Sequence, residues 1–406
     1  MKNTLTRGAL AATLSLAALL AVPARAQVSD NVVRIVVMND QSSAYSDTSG
    51  KGSVVAAELA IADNGAKAGG APVEIITIDH QNKADIGATQ AKKAIDVDKA
   101  DAFFDMANSS VSLAVQQLTR QAGKIAVHVG SAHVDLYGKE CSATGALWLY
   151  DSYSLAKGLA RAIYDDQHKR WFLVVADYAF GHAMQADMTS ALQAQGGQVV
   201  GAVRHPLSLA DFSSFLLQSS GANAQVLALL NAGADTSNAL KQAGEFGLVS
   251  KGVSIAAPIF TIVNVKAIGV ELAQGTQFLG GYYWDADDES RAFAKRYAEK
   301  MKRPPTHAQA AVYSAVNHYL KAVTAANSDD GVTVMKKMKE LKVNDFMTKN
   351  ATLREDGRLM RDMLLLEVKK PGEVKAEWDL LKVKGVAKAD EIIRPLSEGG
   401  CPLVKS

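Results

Sequence analysis

The sequence predicts an α/β protein made of two units, each a parallel sheet flanked by helices. Short apolar runs alternate with stretches whose apolar residues recur at every third or fourth position, which is the rhythm of βαβ units. That rhythm runs to residue 129, breaks at an aromatic-rich stretch without a period of its own, and resumes at residue 171. The length of 406 residues also exceeds what one hydrophobic core usually organises.

In the first unit, strands are expected at 32–38, 73–78, 101–104 and 124–129. The helices between them are expected at 53–64, 85–97 and 110–122, where Val55, Leu59 and Ala62, and Val111, Ala114 and Leu118, fall on one face. In the second unit, strands at 171–175, 198–203, 226–230 and 253–257 alternate with helices at 181–195, 211–219 and 236–246. Leu147-Trp148-Leu149-Tyr150-Asp151 reads as a first crossing between units, and a second falls near 280–284. Helices at 289–302, 308–326 and 332–341 then return to the first unit, and a late strand at 358–368 recrosses to the second. No internal repeat, low-complexity stretch or heptad pattern stands out. The pairs Lys336-Lys337 and Lys369-Lys370 read as solvated faces.

The first 26 residues have the layout of a cleavable secretory signal: Lys2 and Arg7, an uncharged run at 8–22, and Ala24-Arg25-Ala26. The run is too short for a membrane span, so export to the periplasm with cleavage after Ala26 is expected. Without Lys2, Arg7 and Arg25, 41 basic residues face 42 acidic ones, a formal charge of −1. This near-neutral, interspersed charge carries no footprint for nucleic acid or anionic lipid. Cys141 and Cys401 both lie in the exported part, where oxidising conditions favour a disulfide. A thiol nucleophile or half a metal site is the alternative, but neither cysteine has a second Cys or a His at ligand spacing.

Signatures of catalysis are missing: no phosphate loop, no Gly-x-Gly-x-x-Gly after the first strand, no His-Glu-x-x-His and no Gly-x-Ser-x-Gly. His80, His128, His133, His182 and His205 form no metal-type cluster with Asp or Glu, so neither an enzyme nor a cofactor or metal site is expected. What recurs is a small, polar loop past the carboxyl end of each strand, where open parallel sheets bind ligands. Ala107-Asn108-Ser109-Ser110 stands directly before a helix, and Gly130-Ser131-Ala132 follows the next strand. A serine there can cap the helix, or can join the free N–H groups of the helix start in holding an anion. Three or four charge-assisted hydrogen bonds at about 1.5–3 kcal/mol each, with one buried ring face, reach the ~8 kcal/mol of micromolar binding.

Five segments together resemble the branched-chain amino-acid-binding branch of the type I periplasmic binding proteins. They are Gly50-Lys51-Gly52-Ser53-Val54-Val55-Ala56-Ala57-Glu58-Leu59-Ala60, Asp79-His80-Gln81-Asn82-Lys83-Ala84-Asp85, Asn108-Ser109-Ser110-Val111-Ser112-Leu113-Ala114-Val115, Asp177-Tyr178-Ala179-Phe180-Gly181 and Asp211-Phe212-Ser213-Ser214-Phe215. The resemblance runs from Val32 to Cys401. It implies two Rossmann-like lobes joined by a three-segment hinge, with 27–148 and 281–357 in lobe one and 149–280 and 358–406 in lobe two. It also implies a monomer that closes on a small molecule, with the membrane permease subunits of an ABC transporter as partner. By the same resemblance Ser109, beside Asn108, and Gly130, Ser131 and Ala132 hold the ligand carboxylate. Tyr45 matches a loop aromatic of lobe one and Phe180 one of lobe two. The hinges fall near Tyr150, itself a candidate contact, and Gly281. The relatives' Cys-Ser and Cys-Pro-Leu-Val-Lys segments correspond to Cys141-Ser142 and to Cys401 onward, which implies a Cys141–Cys401 bridge.

One departure bears on the ligand. Amino-acid-binding members hold the ammonium with an acidic residue in a lobe-two loop that here reads Ala256-Ala257-Pro258-Ile259-Phe260. A buried ammonium without a partner is costly. Phe260, Tyr283 and Trp284 suit an aromatic body instead, so an organic acid of benzoate or cinnamate type is expected. Asp235, in another lobe-two loop, could still receive an amine or a phenolic hydroxyl. A ligand sensor of the same fold and an amino-acid- or amide-binding transporter component stand as alternatives.

Overall fold

A computed structural model describes residues 28–405. The expected signal at 1–26 lies outside them. The first sheet holds β1 (Val33–Asn39), β2 (Lys67–Ala68), β3 (Ala71–Asp79), β4 (Ala102–Asp105), β5 (Ile125–His128) and β6 (Gly145–Leu147), in the order β2-β3-β1-β4-β5-β6. All pairings are parallel except the short β2–β3 hairpin. The central strands β4 and β5 are buried along their whole length because both faces are covered, whereas β3 exposes Pro72, Glu74 and Thr77. Along β1, Val33, Ile35 and Val37 enter one core while Val36 and Met38 enter another on the opposite face. The helices that follow β1, β3 and β4 are α1 (Gly50–Asp63), α2 (Ala84–Asp96) and α3 (Ser109–Ala122).

Leaving β6, the chain passes through Trp148, Leu149 and Tyr150 into α4 (Ser152–Ile163), a helix that sequence periodicity left unassigned. Asp151 opens it, accepting from the Ser154 amide at 2.7 Å in a capping box. The second sheet then builds up from β7 (Arg170–Ala176), β8 (Gln198–His205), β9 (Val226–Leu230), β10 (Ser254–Ala256) and β11 (Gln277–Gly280). Between them run α5 (Ala179–Gln193), α6 (Ser213–Gly221), α7 (Gly233–Glu245), α8 (Ile262–Ile268) and α9 (Val270–Ala273). After β11 come α10 (Asp288–Met301), α11 (His307–Ala326) and α12 (Gly331–Glu340), which pack on α1, β4 and β5 of the first unit.

The expected late strand at 358–368 is two strands. After β12 (Thr352–Leu353), β13 (Leu359–Met360) pairs with it as a separate ribbon, and only β14 (Met363–Val368) joins the second sheet. The break falls at Arg361, whose guanidinium turns inward to donate to the carbonyls of Gly281 and Met347. β14 and β15 (Leu381–Ala387) add antiparallel, giving the order β15-β14-β11-β10-β9-β7-β8, before the short α13 (Ala389–Ile392). The chain thus passes between the sheets three times. Arg358 ties the third passage to the first: its Nε lies 2.8 Å from Asp151 Oδ2, and both side chains are fully buried. Cys141 and Cys401 are joined in a disulfide, with Cα atoms 5.6 Å apart, so the tail returns to the loop before β6.

Candidate functional site

The carboxyl ends of the two sheets face one another across a narrow slot. From the first unit it is lined by Tyr45, Thr48, Ser49, Ala107, Ser109, Gly130, Ala132, His307 and Ala308, from the passage between the units by Tyr150, and from the second unit by Tyr178, Phe180, Ala232, Ile259 and Thr261. Its cavity volume is about 20 Å³, so anything held there touches both walls at once. No side chain that lines it carries a formal charge.

Five helices of 13 to 20 residues begin at the slot: α1 behind Ser49, α3 at Ser109, α5 behind Tyr178, α7 behind Ala232 and α11 at His307. The first turn of a helix presents unpaired N–H groups and a partial positive charge. At α1, α5 and α7 no side chain caps that end. Each such terminus is worth about 0.3–1 kcal/mol to a nearby anion, and up to ~2 where partly buried.

The two loops picked from sequence are both here, in separate roles. Asn108 caps α3, its side-chain oxygen accepting from the amides of Ser110 at 2.9 Å and Val111 at 3.2 Å. Capping therefore does not occupy Ser109, whose Oγ accepts from Ser131 Oγ at 3.1 Å and keeps its own hydrogen to donate. Gly130 is required by the floor, since a Cβ there would lie 2.8 Å from Ala107 Cα and from Asp105 Oδ1. Ala132 sends its carbonyl to the Ser152 amide at 2.7 Å.

Beneath this floor Asp105 is fully buried, and burial raises its carboxyl to about 6. Its Oδ2 accepts from Asn39 Nδ2 at 3.0 Å, while Oδ1 has no partner among the described residues.

Aromatic rings form the walls. Burial holds the hydroxyls of Tyr45, Tyr150 and Tyr178 well above the ordinary tyrosine range, so they remain donors. Tyr45 and Tyr178 meet across the slot, Phe180 packs beside Tyr178, and Tyr150 stands edge-on to His307. The slot thus brings together Tyr45, Ser109, Gly130, Ala132, Tyr150 and Phe180 of the expected residues, with Asn108 and Ser131 directly behind.

It does not bring in Asp235, Phe260 or Trp284. The Asp235 carboxylate is fully buried and turned toward the loop at 208–209, where it accepts from the amides of Ser208 at 3.1 Å and Leu209 at 2.9 Å. Phe260 is buried edge-on to Phe278 in the outer core of the second unit, and its neighbour Ile259 faces the slot instead. Trp284 donates its indole N–H to the Trp378 carbonyl at 2.9 Å. Sequence reasoning passed over Tyr178 and His307. Tyr178 lies inside one of the five segments, two residues past the end of β7, but His307 carried no local signal.

A second cavity, of about 300 Å³ at the opposite end of the second sheet, contains Asp165, His168 and Ser254 in hydrogen-bonded sequence. Asp165 Oδ1 lies 2.7 Å from His168 Nδ1, and His168 Nε2 lies 2.9 Å from Ser254 Oγ. The amides of Gly252, Val253, Ser254, Gly275 and Thr276 are all given to main-chain carbonyls, so they are not free to hold an oxyanion beside Ser254.

Comparisons with known proteins place the fold among periplasmic binding proteins. A family model described as periplasmic binding protein matches residues 32–373. A periplasmic binding protein from Burkholderia mallei superposes with a TM-score of 0.90 at 41% identity, covering 92% of this chain and 100% of that one. A branched chain amino acid ABC transporter periplasmic ligand-binding protein from Burkholderia xenovorans LB400 does so at 0.82 and 41% identity, covering 91% and 99%. A solute binding protein of an ABC transporter from R. palustris, in complex with benzoate, shares the fold at 0.80 and 19% identity, covering 92% and 100%. Among curated relatives, the Leu/Ile/Val-binding protein homolog 6 of Brucella abortus (strain 2308) is 32% identical over 110 residues. That alignment spans 27% of this chain and only 28% of the relative.

Proposed function

The chain belongs to the periplasmic binding protein family, and from that premise we propose that it is the solute-binding component of an ABC importer, working in the periplasm with membrane permease subunits. Its ligand is a small carboxylate, an aromatic acid of benzoate or cinnamate type. The observation that carries this reading is the slot's electrostatics: five helix N-termini converge on it and no charged side chain lines it. Such a place favours an anion that enters without a cationic partner.

The carboxylate sits at Ser109 and the backbone of Gly130 to Ala132, and the ring lies among Tyr150, Phe180 and Ile259. An ammonium would find no counter-charge, because the Asp235 carboxylate is committed to Ser208 and Leu209. No bond in the ligand needs to change. Binding stabilises the closed arrangement by touching both walls, through a hinge near Tyr150 and Gly281. Lobe one comprises 27–148 and 281–357, lobe two 149–280 and 358–406, and a ring-sized ligand must part the Tyr45–Tyr178 contact to enter.

The name of the Burkholderia xenovorans protein, a branched chain amino acid ABC transporter periplasmic ligand-binding protein at 41% identity, favours a second reading in which the ligand is a branched-chain amino acid. A thermal-shift screen of protein stripped of ligand by unfolding and refolding separates the two. Stabilisation by aromatic acids and not by leucine or valine supports the carboxylate reading. Stabilisation by leucine or valine alone overturns it.

A further inference from the structure

His307 is a polar side chain on the wall of the slot. It is 4% exposed, and its Nε2 is buried without a hydrogen bond among the described residues. Its position is nonetheless fixed. It is the first residue of α11, behind a capping box in which Thr306 Oγ1 accepts from the Gln309 amide at 3.2 Å and Gln309 Oε1 accepts from the Thr306 amide at 3.0 Å. Thr306 Oγ1 also donates to the Thr48 carbonyl at 2.7 Å, anchoring α11 to the loop before α1. The imidazole stands edge-on to Tyr150, with ring centres 5.6 Å apart and planes at 82°. A rigidly held, desolvated and unpaired polar group on the wall of a binding slot is what a ligand group is expected to satisfy.

The chemistry of that ligand group follows from the ring's state. Burial, reinforced by the nearby Arg361 guanidinium, lowers His307 to about 4, so the ring is neutral at physiological pH. A neutral imidazole carries one donor and one acceptor nitrogen. It offers nothing to neutralise a second carboxylate, whereas a hydroxyl can use either nitrogen.

We propose that His307 is a specificity-determining residue that reads a hydroxyl on the ligand's ring, so that the slot selects a hydroxylated aromatic acid over the unsubstituted one. This rests on the reading of the slot as a carboxylate site.

Calorimetric titration of benzoate and of 2-, 3- and 4-hydroxybenzoate into the refolded protein tests it, with His307→Phe and His307→Asn alongside. Phenylalanine keeps the edge contact with Tyr150 but cannot hydrogen-bond, and asparagine restores a donor and an acceptor. In the unaltered protein one hydroxybenzoate is expected to bind about tenfold or more tighter than benzoate. His307→Phe should bring that ratio to within about threefold of unity, and His307→Asn should recover part of it. If the Phe variant does not fold, the ratio in the unaltered protein and in the Asn variant decides. Benzoate binding at least as tightly as every hydroxybenzoate, or a preference that survives in His307→Phe, overturns the proposal and leaves the carboxylate site standing. Failure of all four acids to bind overturns both together.

Discussion

The hydroxyls of Tyr45 and Tyr178 lie 2.8 Å apart, joining the loop after β1 to the start of α5 across the slot. Beside them the Ala234 amide donates to the Ala44 carbonyl at 3.0 Å, so two adjacent residues of one wall both reach the other. Gly233 makes that approach possible: at φ +60 it has no Cβ, and one there would stand 2.1 Å from the Ala44 carbonyl oxygen. Any opening of the slot must break these contacts.

Tyr178→Phe removes the tyrosine pair and keeps the ring. A net hydrogen bond is worth about 0.5–1.5 kcal/mol, so ligand affinity should fall about two- to tenfold. Small-angle scattering of the liganded variant should show a larger radius of gyration at subsaturating acid. Unchanged affinity and radius would mean that this bond contributes nothing to closure.

Ser109 and Asn108 are adjacent but act differently, and single substitutions should separate them. Ser109→Ala loses a hydrogen bond to a charged group, about 1.5–3 kcal/mol, and should weaken acid binding roughly ten- to 150-fold. Asn108→Ala deletes two cap bonds and should lower the unfolding free energy by about 1 kcal/mol. Titration and urea unfolding of both variants check this, and full affinity in Ser109→Ala would remove that hydroxyl from the site.

Burial raises the Asp105 carboxyl to about 6 from its ordinary 3.8. Between these values the folded protein holds a proton that the unfolded chain has released. The stability this confers is therefore complete below about pH 4 and is lost as pH rises through 6. At about 1.4 kcal/mol per pH unit the loss amounts to about 3 kcal/mol. Asp105→Asn keeps the shape without the charge, so its stability relative to the unaltered protein should rise by up to that amount between pH 4 and pH 7. Urea unfolding across this range measures the difference, and a flat difference would contradict the raised value.

The Arg358–Asp151 pair ties the third passage between the sheets to the first, with both side chains fully buried. Removing one partner leaves a buried charge alone, which typically costs about 3–5 kcal/mol. Arg358→Met should lose about that much in denaturant unfolding. It should also loosen the hinge, since the Arg358 guanidinium donates to the carbonyls of Leu147, Leu149 and Leu359 as well. A loss below about 1 kcal/mol would show that the pair is dispensable.

Periodicity is a local property, and it was legible. Strand β9 falls at 226–230 as the apolar run predicts, and α3 and α11 begin within one residue of their expected starts. Helix α4 was missed because its apolar face follows directly on the aromatic passage before Asp151, which hides its first turn. The small loops at Ser109 and Gly130 were also legible, because glycine and serine after a strand leave room for a ligand whatever else surrounds them.

What sequence alone determined is therefore the alternation of strands and helices, the two-unit division of that rhythm, and the loops at the strand ends. The tertiary structure decided which side chains those loops turn inward. Ile259 faces the slot and Phe260 the outer core, although they are neighbours in the bend between β10 and α8. Tyr178 and His307 share a slot although 128 positions separate them. Such a meeting depends on how two units pack face to face, and no pattern within either unit encodes it.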